Sequence, residues 1–215
     1  MAILKLPAGK KEIRAIGFDV DGVLRDTGKM AYDNCCSAIK ILGGKPPKFK
    51  NFLHEWGGEL ITYYRSCGVT ASDEEIHRVN QGYIVTHDSV SPFDDVRQTV
   101  KHLDKSGVKV FALSGHMTHN LLAWFVEHNL QMRFAHIRGD GRDKKKELAD
   151  LCKVMGTSPS ITGYIGDWGQ DMRAARDVGM VPIGITRGHD SRDVLVHNGA
   201  KLVIEHLADL CTLVE

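Results

Sequence analysis

Apolar residues along this chain fall into short runs separated by polar segments that contain glycine. The four strongest runs are Ile13 to Val20, Val108 to Leu113, Ile161 to Ile165 and Val181 to Ile185. Each is rich in β-branched or aromatic residues and is bounded by Gly, Pro, Asp or Ser, which is typical of buried parallel strands. Two weaker candidates are Arg133 to Ile137 and Leu202 to Ile204.

Helical patterns lie between these runs. The apolar stripes are Val96, Val100 and Leu103; then Leu122, Phe125 and Val126; then Leu148, Leu151, Cys152 and Met155. Their spacing of three and four residues places each set on one helix face. Strand and helix alternate from residue 93 to the end, which predicts an α/β fold with a doubly wound, Rossmann-like parallel sheet.

The segment from 28 to 92 breaks this alternation. It contains no clear strand pattern and at least three helical stretches, so we interpret it as an inserted α-helical cap. The core domain then consists of residues 1–27 and 93–215. Within the segment, Ser72-x-x-Glu75 is a capping-box pattern that predicts a helix start.

Two adjacent glycines, Gly57 and Gly58, interrupt an otherwise periodic run in the cap. Inside a helix they would cost about 2 kcal/mol together. We therefore expect a bend or loop from Trp56 to Glu59.

Composition narrows the class of protein. The 28 basic and 27 acidic residues nearly cancel, which argues against binding to nucleic acid or to an anionic membrane surface. The five cysteines form no Cys-x-x-Cys pair, and Pro7 and nearby lysines interrupt any leader-like apolar stretch. No apolar run reaches the length of a membrane span. The expectation is a cytoplasmic protein with free thiols.

Two carboxylates follow the first predicted strand, in Asp19-Val20-Asp21-Gly22. Residues i and i+2 of a strand point the same way, so Asp19 and Asp21 are expected to face one pocket at the carboxyl edge of the sheet. One could attack phosphorus or bind a metal while the other moves a proton. A polar turn that only closes the strand is the alternative.

A second acidic pair, Asp167 and Asp171, follows the predicted strand that ends near Ile165. Two acidic pairs at one sheet edge require a compensating cation. The ligands are all oxygen, so the expected ion is Mg²⁺. The alternative for Asp167 is the cap of the following helix.

A hydroxyl and a lysine cluster accompany the acids. Ser114 and the amide of Gly115 end the second strong run and could hold a phosphate, although a serine there could also be a plain helix cap. Lys144, Lys145 and Lys146 open a helix, where the macrodipole disfavours cations, so we expect a local role for at least one of them; a solvated charge run is the alternative. For His116 and His119, we expect surface or capping roles.

The order Asp-x-Asp-Gly, Ser, Lys, Gly-Asp-x-x-x-Asp resembles the haloacid dehalogenase superfamily, and within it the phosphoglycolate-phosphatase-like members with a helical cap. FDVDGVLRDT and GYIGDWGQDMRAARDVGM carry most of the resemblance, which covers nearly the whole chain from Arg14 onward. The glycine-containing loop Gly184 to Gly188 is also similar to this group. The resemblance implies a magnesium-dependent phosphatase acting on a small phosphorylated metabolite.

The resemblance also implies a role for each site residue. Asp19 is the nucleophile that becomes an aspartyl phosphate, and Asp21 is the acid and base. Ser114, Gly115 and Lys144 bind the phosphoryl group; Asp19, the backbone carbonyl of Asp21, Asp167 and Asp171 form the metal site; and Trp56, Gly57 and Gly58 form a specificity loop. Many relatives have Lys-Pro at the third motif, whereas this chain has Lys144-Lys145-Lys146 there and no proline. We therefore place the functional lysine by its distance of twelve residues before Gly156, which favours Lys144 over Lys145.

Two further interpretations remain open. A sugar phosphomutase of this fold usually has a His twelve residues after the nucleophile, where this chain has Ala31. A non-catalytic interaction protein could retain the fold, although no motif acid is lost. The sequence pattern leaves the phosphate ester and the oligomeric state open.

Overall fold

The computed structural model describes residues 2–49, 51–52, 60–84, 90–141 and 143–215. The chain divides into two compact units. One combines Met1–Asp26 with Ser91–Glu215, and the other is Thr27–Val90. No helix within the described ranges is both long enough and apolar enough to cross a membrane.

The first unit is built on a six-stranded parallel sheet. Its strands are β3 (Ala15–Phe18), β4 (Lys109–Leu113), β5 (His136–Arg138), β6 (Thr162–Gly166), β7 (Val181–Ile185) and β8 (Leu202–Ile204). Their order across the sheet is β5-β4-β3-β6-β7-β8. This confirms the predicted α/β, Rossmann-like sheet. The central position of β3 places its end between the ends of β4 and β6.

Six α-helices of the first unit flank the parallel strands in the described part of the chain. They are α4 (Val96–Lys105), α5 (Thr118–Glu127), α6 (Lys144–Val154), α7 (Gly169–Val178), α8 (Arg192–His197) and α9 (Leu210–Leu213). Two apolar clusters of buried side chains pack around the sheet, one containing Phe18 and Trp124 and the other containing Phe111 and Tyr164. Burial on both faces explains why the strands read as continuous apolar runs rather than alternating ones.

An antiparallel hairpin precedes the sheet and was not predicted from the sequence. It consists of β1 (Ala2–Leu6) and β2 (Gly9–Ile13). Only alternate side chains of β1 are buried, and β2 is mostly exposed. β2 has too few apolar residues to be recognised as a strand. Ile13 belongs to β2, and β3 covers only Ala15–Phe18, so the predicted strand from Ile13 to Val20 was too long at both ends.

The face of α5 that contacts the core differs from the predicted one. Leu121, Trp124 and Phe125 are buried, whereas Leu122 is 41% exposed and Val126 is 56% exposed. The segment has apolar residues on more than one face, so spacing alone could not select the buried one. The predicted stripe of Leu122, Phe125 and Val126 was therefore wrong in two of its three members.

The second unit contains α1 (Gly28–Ile41), α2 (Leu60–Ser66) and α3 (Asp73–Ile84). Ser72 caps α3 as predicted, because the Glu75 N–H donates to Ser72 Oγ at 3.2 Å. Cys35, Ile39 and neighbouring aromatic rings form its core. Trp56, Gly57 and Gly58 lie outside the described residues, so the predicted loop there stays a prediction. The assignment of 28–92 as a cap also stays a prediction.

Candidate active site

Predicted site residues from three strands lie at one edge of the sheet. Asp19 directly follows β3, Ser114 directly follows β4, and Asp167 directly follows β6. The last residue of β3, Phe18, pairs with Ala112 of β4 and with Ile165 of β6. Since all three strands are parallel and in this register, their following residues emerge side by side.

Three buried carboxylates converge at this edge. Oxygen atoms of Asp19, Asp167 and Asp171 lie within 4.8 Å of one another. Asp171 is in the first turn of α7, where its carboxylate accepts the Trp168 N–H at 3.2 Å. Asp167 instead accepts the N–H of His189 at 2.8 Å. Asp171 therefore caps α7, and the sequence alternative that gave this role to Asp167 was wrong.

Two glycines allow close approach to Asp167. Gly22 has a φ of +71°, a conformation that L side chains rarely adopt, and a Cβ there would collide with the Asp167 carboxylate. A Cβ at Gly188, in the loop after β7, would collide with the same carboxylate. Glycine at both positions therefore lets two loops close around this acid.

Among the residues that the structure describes, Lys144 is the cation that contacts the cluster. Its Nζ donates to Asp19 Oδ1 at 2.8 Å and also to Asp171 Oδ1. The ammonium lies 5.9 Å from the ring centre of Tyr164. Lys145, the alternative in the sequence, is 61% exposed and lies 4.0 Å from Asp177. The structure therefore places Lys144, rather than Lys145, against Asp19.

Burial and mutual repulsion shape the protonation of the cluster. Burial and the Asp171 carboxylate raise the pKa of Asp19 to about 7, against the opposing effect of Lys144. Burial and the charge of Asp19 raise the pKa of Asp167 well above its ordinary value. Burial disfavours the charged form of Lys144, but Asp171 and Asp19 outweigh it and raise the Lys144 pKa. In the described part of the chain, the Lys144 ammonium therefore does not fully offset the negative charge of the cluster.

Asp21 lies in a different electrostatic environment. Arg25 Nε donates to its Oδ1 at 3.0 Å, and His116 Nε2 lies 3.0 Å from its Oδ2. Burial opposes ionisation, but the hydrogen bond from His116 and the charge of Arg25 outweigh it and lower the Asp21 pKa. The hydrogen bond to Asp21 raises the His116 pKa in turn.

The contact of His116 with Asp21 corrects the sequence interpretation, which gave His116 a surface or capping role. A signal was present, because His116 lies two residues beyond Ser114, at the same sheet edge as the acids. His119, by contrast, is exposed. The sequence analysis also gave no role to Arg25. Its position directly after the apolar residues Val23 and Leu24 was the available signal.

Ser114 is buried at the end of β4. Its Oγ accepts the His116 N–H at 3.1 Å, while its own N–H donates to Arg138 O at 3.0 Å. It does not cap α5, whose N-cap residue is Met117. Gly115 is exposed, and a Cβ there would meet nothing within 4 Å. Phosphate binding by Ser114 and Gly115 stays a prediction.

The carboxylate cluster fits a divalent cation. Its donors are all carboxylate oxygens, as hard cations such as Mg²⁺ prefer, and the raised pKa values of Asp19 and Asp167 mark an excess of negative charge. The side chain of Asp21 is not part of the cluster, since it faces Arg25 and His116. A role for Asp21 at the metal through its backbone carbonyl stays a prediction.

Comparison with known proteins places this site in a family. A profile of haloacid dehalogenase-like hydrolases matches residues 16–185. A phosphoglycolate phosphatase of Synechococcus elongatus is 23% identical, covering 92% of this chain and 95% of its own. An N-acetylmuramic acid 6-phosphate phosphatase of Pseudomonas aeruginosa is 22% identical, covering 96% of both chains.

Solved structures share the fold. A haloacid dehalogenase-like hydrolase from Streptococcus pneumoniae superimposes with a TM-score of 0.80 at 20% identity, covering 93% of this chain and 97% of its own. The matched residues 16–185 contain Asp19, Asp21, Ser114, Lys144 and the acidic pair at 167 and 171. The chain belongs to the haloacid dehalogenase-like hydrolase family, and within it is a phosphoric monoester hydrolase that resembles the phosphoglycolate phosphatases.

Proposed function

We propose that this protein is a magnesium-dependent phosphatase that hydrolyses a small phosphorylated metabolite through an aspartyl phosphate on Asp19. The observation that carries the proposal is the contact between Lys144 Nζ and Asp19 Oδ1, at 2.8 Å, within a cluster of three buried carboxylates. A nucleophilic carboxylate needs cationic neighbours before it can approach a phosphate anion. Lys144 supplies one of these positive charges.

In the first step, an oxygen of the Asp19 carboxylate attacks phosphorus and the bond from phosphorus to the ester oxygen breaks. The Asp21 carboxyl gives its proton to the departing oxygen, so an alcohol leaves. Negative charge from the bound ester disfavours ionisation of Asp21 and so favours its protonated form at this stage. Lys144 stabilises the charge that develops on the phosphoryl oxygens.

In the second step, Asp21, now ionised, takes a proton from water. The oxygen of that water attacks phosphorus and the acyl phosphate bond breaks. The Asp19 carboxylate is restored and inorganic phosphate leaves. Asp19, Asp167, Asp171 and the backbone carbonyl of Asp21 would hold Mg²⁺, which supplies positive charge beside the phosphoryl group when bound. Ser114 and Gly115 are proposed to hold the phosphoryl oxygens.

Substrate selection is assigned to the cap, residues 28–92, and within it to Trp56, Gly57 and Gly58. The core motifs bind the phosphate that all substrates share, so the remainder of the substrate requires a second set of contacts. Relatives named as phosphatases of phosphoglycolate and of N-acetylmuramic acid 6-phosphate make small carboxylate- or sugar-containing esters the first candidates. We place the protein in the cytoplasm.

Phosphate release from a panel of esters tests this function. The panel contains phosphoglycolate, sugar phosphates, nucleotides, pyrophosphate and p-nitrophenyl phosphate, each with added Mg²⁺ and with EDTA. We expect release that requires Mg²⁺ and is lost in Asp19→Asn. Absence of release from every ester, or release that EDTA does not affect, would contradict the proposal.

Trp56→Ala tests the cap assignment separately. It should raise KM for the preferred metabolite while sparing most activity on p-nitrophenyl phosphate, because the artificial ester depends less on specificity contacts. An equal loss of activity on every ester would mean that residues other than Trp56 determine substrate specificity.

A further inference from the structure

The Asp21 carboxylate is held at both of its oxygens. Arg25 Nε donates to Oδ1 at 3.0 Å, and His116 Nε2 lies 3.0 Å from Oδ2. We propose that His116 is a positioning residue for catalysis, which holds Oδ2 of Asp21 in the orientation needed for proton transfer. The inference rests on the proposed phosphatase function and adds a residue to which the family motifs give no role.

The Arg25 half of this arrangement is fixed in the protein interior. Arg25 is 2% exposed, and its guanidinium lies 5.3 Å from the ring centre of Trp124, which is itself fully buried. The Arg25 carbonyl accepts the Gly22 N–H at 2.9 Å, which closes the turn that carries Asp21. An arginine stays charged and cannot accept a proton. Within this proposal, Oδ2 is the oxygen that carries the transferred proton.

The loop after β4 holds the His116 half. Ser114 Oγ accepts the His116 N–H at 3.1 Å, and the Asp140 N–H donates to the His116 carbonyl at 2.6 Å. The Asp140 carboxylate accepts both the N–H and the hydroxyl of Thr118, at 3.1 and 2.7 Å. Asp140 has a φ of +57°, which is uncommon for a residue other than glycine. Two loops therefore fix the backbone that carries His116.

The consequence of losing His116 follows from the torsional freedom of aspartate. Rotation about Cβ–Cγ is broad, so one hydrogen bond at Oδ1 does not define where Oδ2 points. Proton transfer requires a heavy-atom separation within hydrogen-bond reach of the leaving oxygen. Lys144 contacts Asp19 and Asp171 directly rather than through His116. Losing His116 should therefore impair protonation of the leaving group more than phosphate binding.

Esters that differ only in their leaving group distinguish a loss of leaving-group protonation from a loss of phosphate binding. Phenyl, p-nitrophenyl and dinitrophenyl phosphate carry the same phosphoryl group, but their leaving groups need progressively less protonation. The value of kcat/KM reports events up to departure of that group. We therefore measure kcat/KM for the three esters, with Mg²⁺, in wild type, His116→Leu and His116→Gln. His119→Leu is the matched control, because His119 lies three residues away and is exposed.

For His116→Leu we expect kcat/KM to fall about 10- to 100-fold on phenyl phosphate and several-fold less on dinitrophenyl phosphate. His116→Gln, which keeps an N–H donor near the position of Nε2, should recover part of the loss on phenyl phosphate. KM for dinitrophenyl phosphate should stay near the wild-type value, and His119→Leu should match wild type on all three esters.

Three results would overturn the inference: unchanged kinetics in His116→Leu, the same loss on all three esters, or no recovery in His116→Gln. Circular dichroism and thermal unfolding of each variant identify a folding defect. If His116→Leu does not fold, the comparison of His116→Gln with wild type across the three esters decides. Wild-type protein that cleaves none of the esters would instead refute the proposed function, so the two failures are distinguishable.

Discussion

Asp19 and Asp21 lie two residues apart and have opposite surroundings. Asp19 is buried beside two other carboxylates and one lysine, and its pKa is raised to about 7. Asp21 faces Arg25 and His116, which lower its pKa. Their environments therefore drive the two pKa values apart, and the proposed roles need bound ligands: a cation would favour the ionised Asp19 for attack, and the bound phosphate ester favours the protonated form of Asp21. Lys144, Asp171 and His116, which follow other strands, create this difference together with Arg25, which lies in the turn after β3.

Removal of the nucleophile should have the strongest effect on turnover. Asp19→Asn keeps the size of the side chain but supplies a poor nucleophile, so kcat should fall by at least about 10⁴-fold. Steady-state phosphate release with Mg²⁺ measures the loss. Activity close to wild type would show that Asp19 is not the nucleophile.

The second change removes proton transfer and leaves the nucleophile. Asp21→Asn should lower kcat by about 10² to 10⁴-fold, because an amide cannot give or take the required proton. The loss in kcat/KM should be smallest for dinitrophenyl phosphate, which needs little acid assistance. Normal turnover of phenyl phosphate by this variant would refute the acid and base assignment.

The third change tests the lysine beside Asp19. Lys144→Ala should lower kcat by about 10² to 10³-fold, the loss typical of one group that stabilises developing charge. Lys145→Ala is the matched control, because the Lys145 side chain is 61% exposed and its Nζ lies 4.0 Å from Asp177 Oδ2. If Lys145→Ala lowered kcat more than Lys144→Ala, the functional lysine would be Lys145 rather than Lys144.

The smallest expected effect is on stability. The pKa of Asp19 is about 7 in the folded protein, against an ordinary value of 3.8. Between these values the unfolded chain binds fewer protons than the folded one, so stability falls as pH rises through this window. Metal-free Asp19→Asn should therefore be more stable than wild type by about 1 to 3 kcal/mol at about pH 8. The difference should shrink near pH 4.

Chemical unfolding in EDTA at the two pH values measures this difference. Added Mg²⁺ should raise the unfolding midpoint of wild type more than that of Asp19→Asn, because binding to the folded state stabilises it. A variant less stable than wild type at about pH 8 would mean that the pairing of Asp19 with Lys144 outweighs the repulsion within the cluster.

Sequence patterns predicted the four central strands well because β3, β4, β6 and β7 are buried on both faces over nearly their whole length. Such strands are continuous apolar runs that end in polar residues, and Asp19, Ser114 and Asp167 could be placed at strand ends for that reason. The same logic failed for the hairpin, where only alternate positions of β1 are buried. It also failed for α5, whose apolar residues cover more than one face.

Individual contacts within the site were harder to predict. Strand periodicity placed Asp21 at the sheet edge but could not show that its carboxylate faces Arg25 and His116. That contact depends on how the turn after β3 and the loop after β4 approach each other in space. Likewise, the choice between Lys144 and Lys145 depends on the first turn of α6, where a shift of one residue rotates a side chain away from the site.

A covalent phosphoryl group on Asp19 would show directly that Asp19 is the nucleophile and that Asp21 acts as the acid and base. In Asp21→Asn, dinitrophenyl phosphate can still transfer its phosphoryl group, but water is not activated to release it. Intact-protein mass spectrometry after mixing with this ester and Mg²⁺ should show the mass of one added phosphoryl group, which hydroxylamine removes and peptide mapping places on Asp19. Asp19→Asn should gain nothing under the same conditions. Absence of the adduct, or an adduct on any other residue, would contradict the division of roles between Asp19 and Asp21.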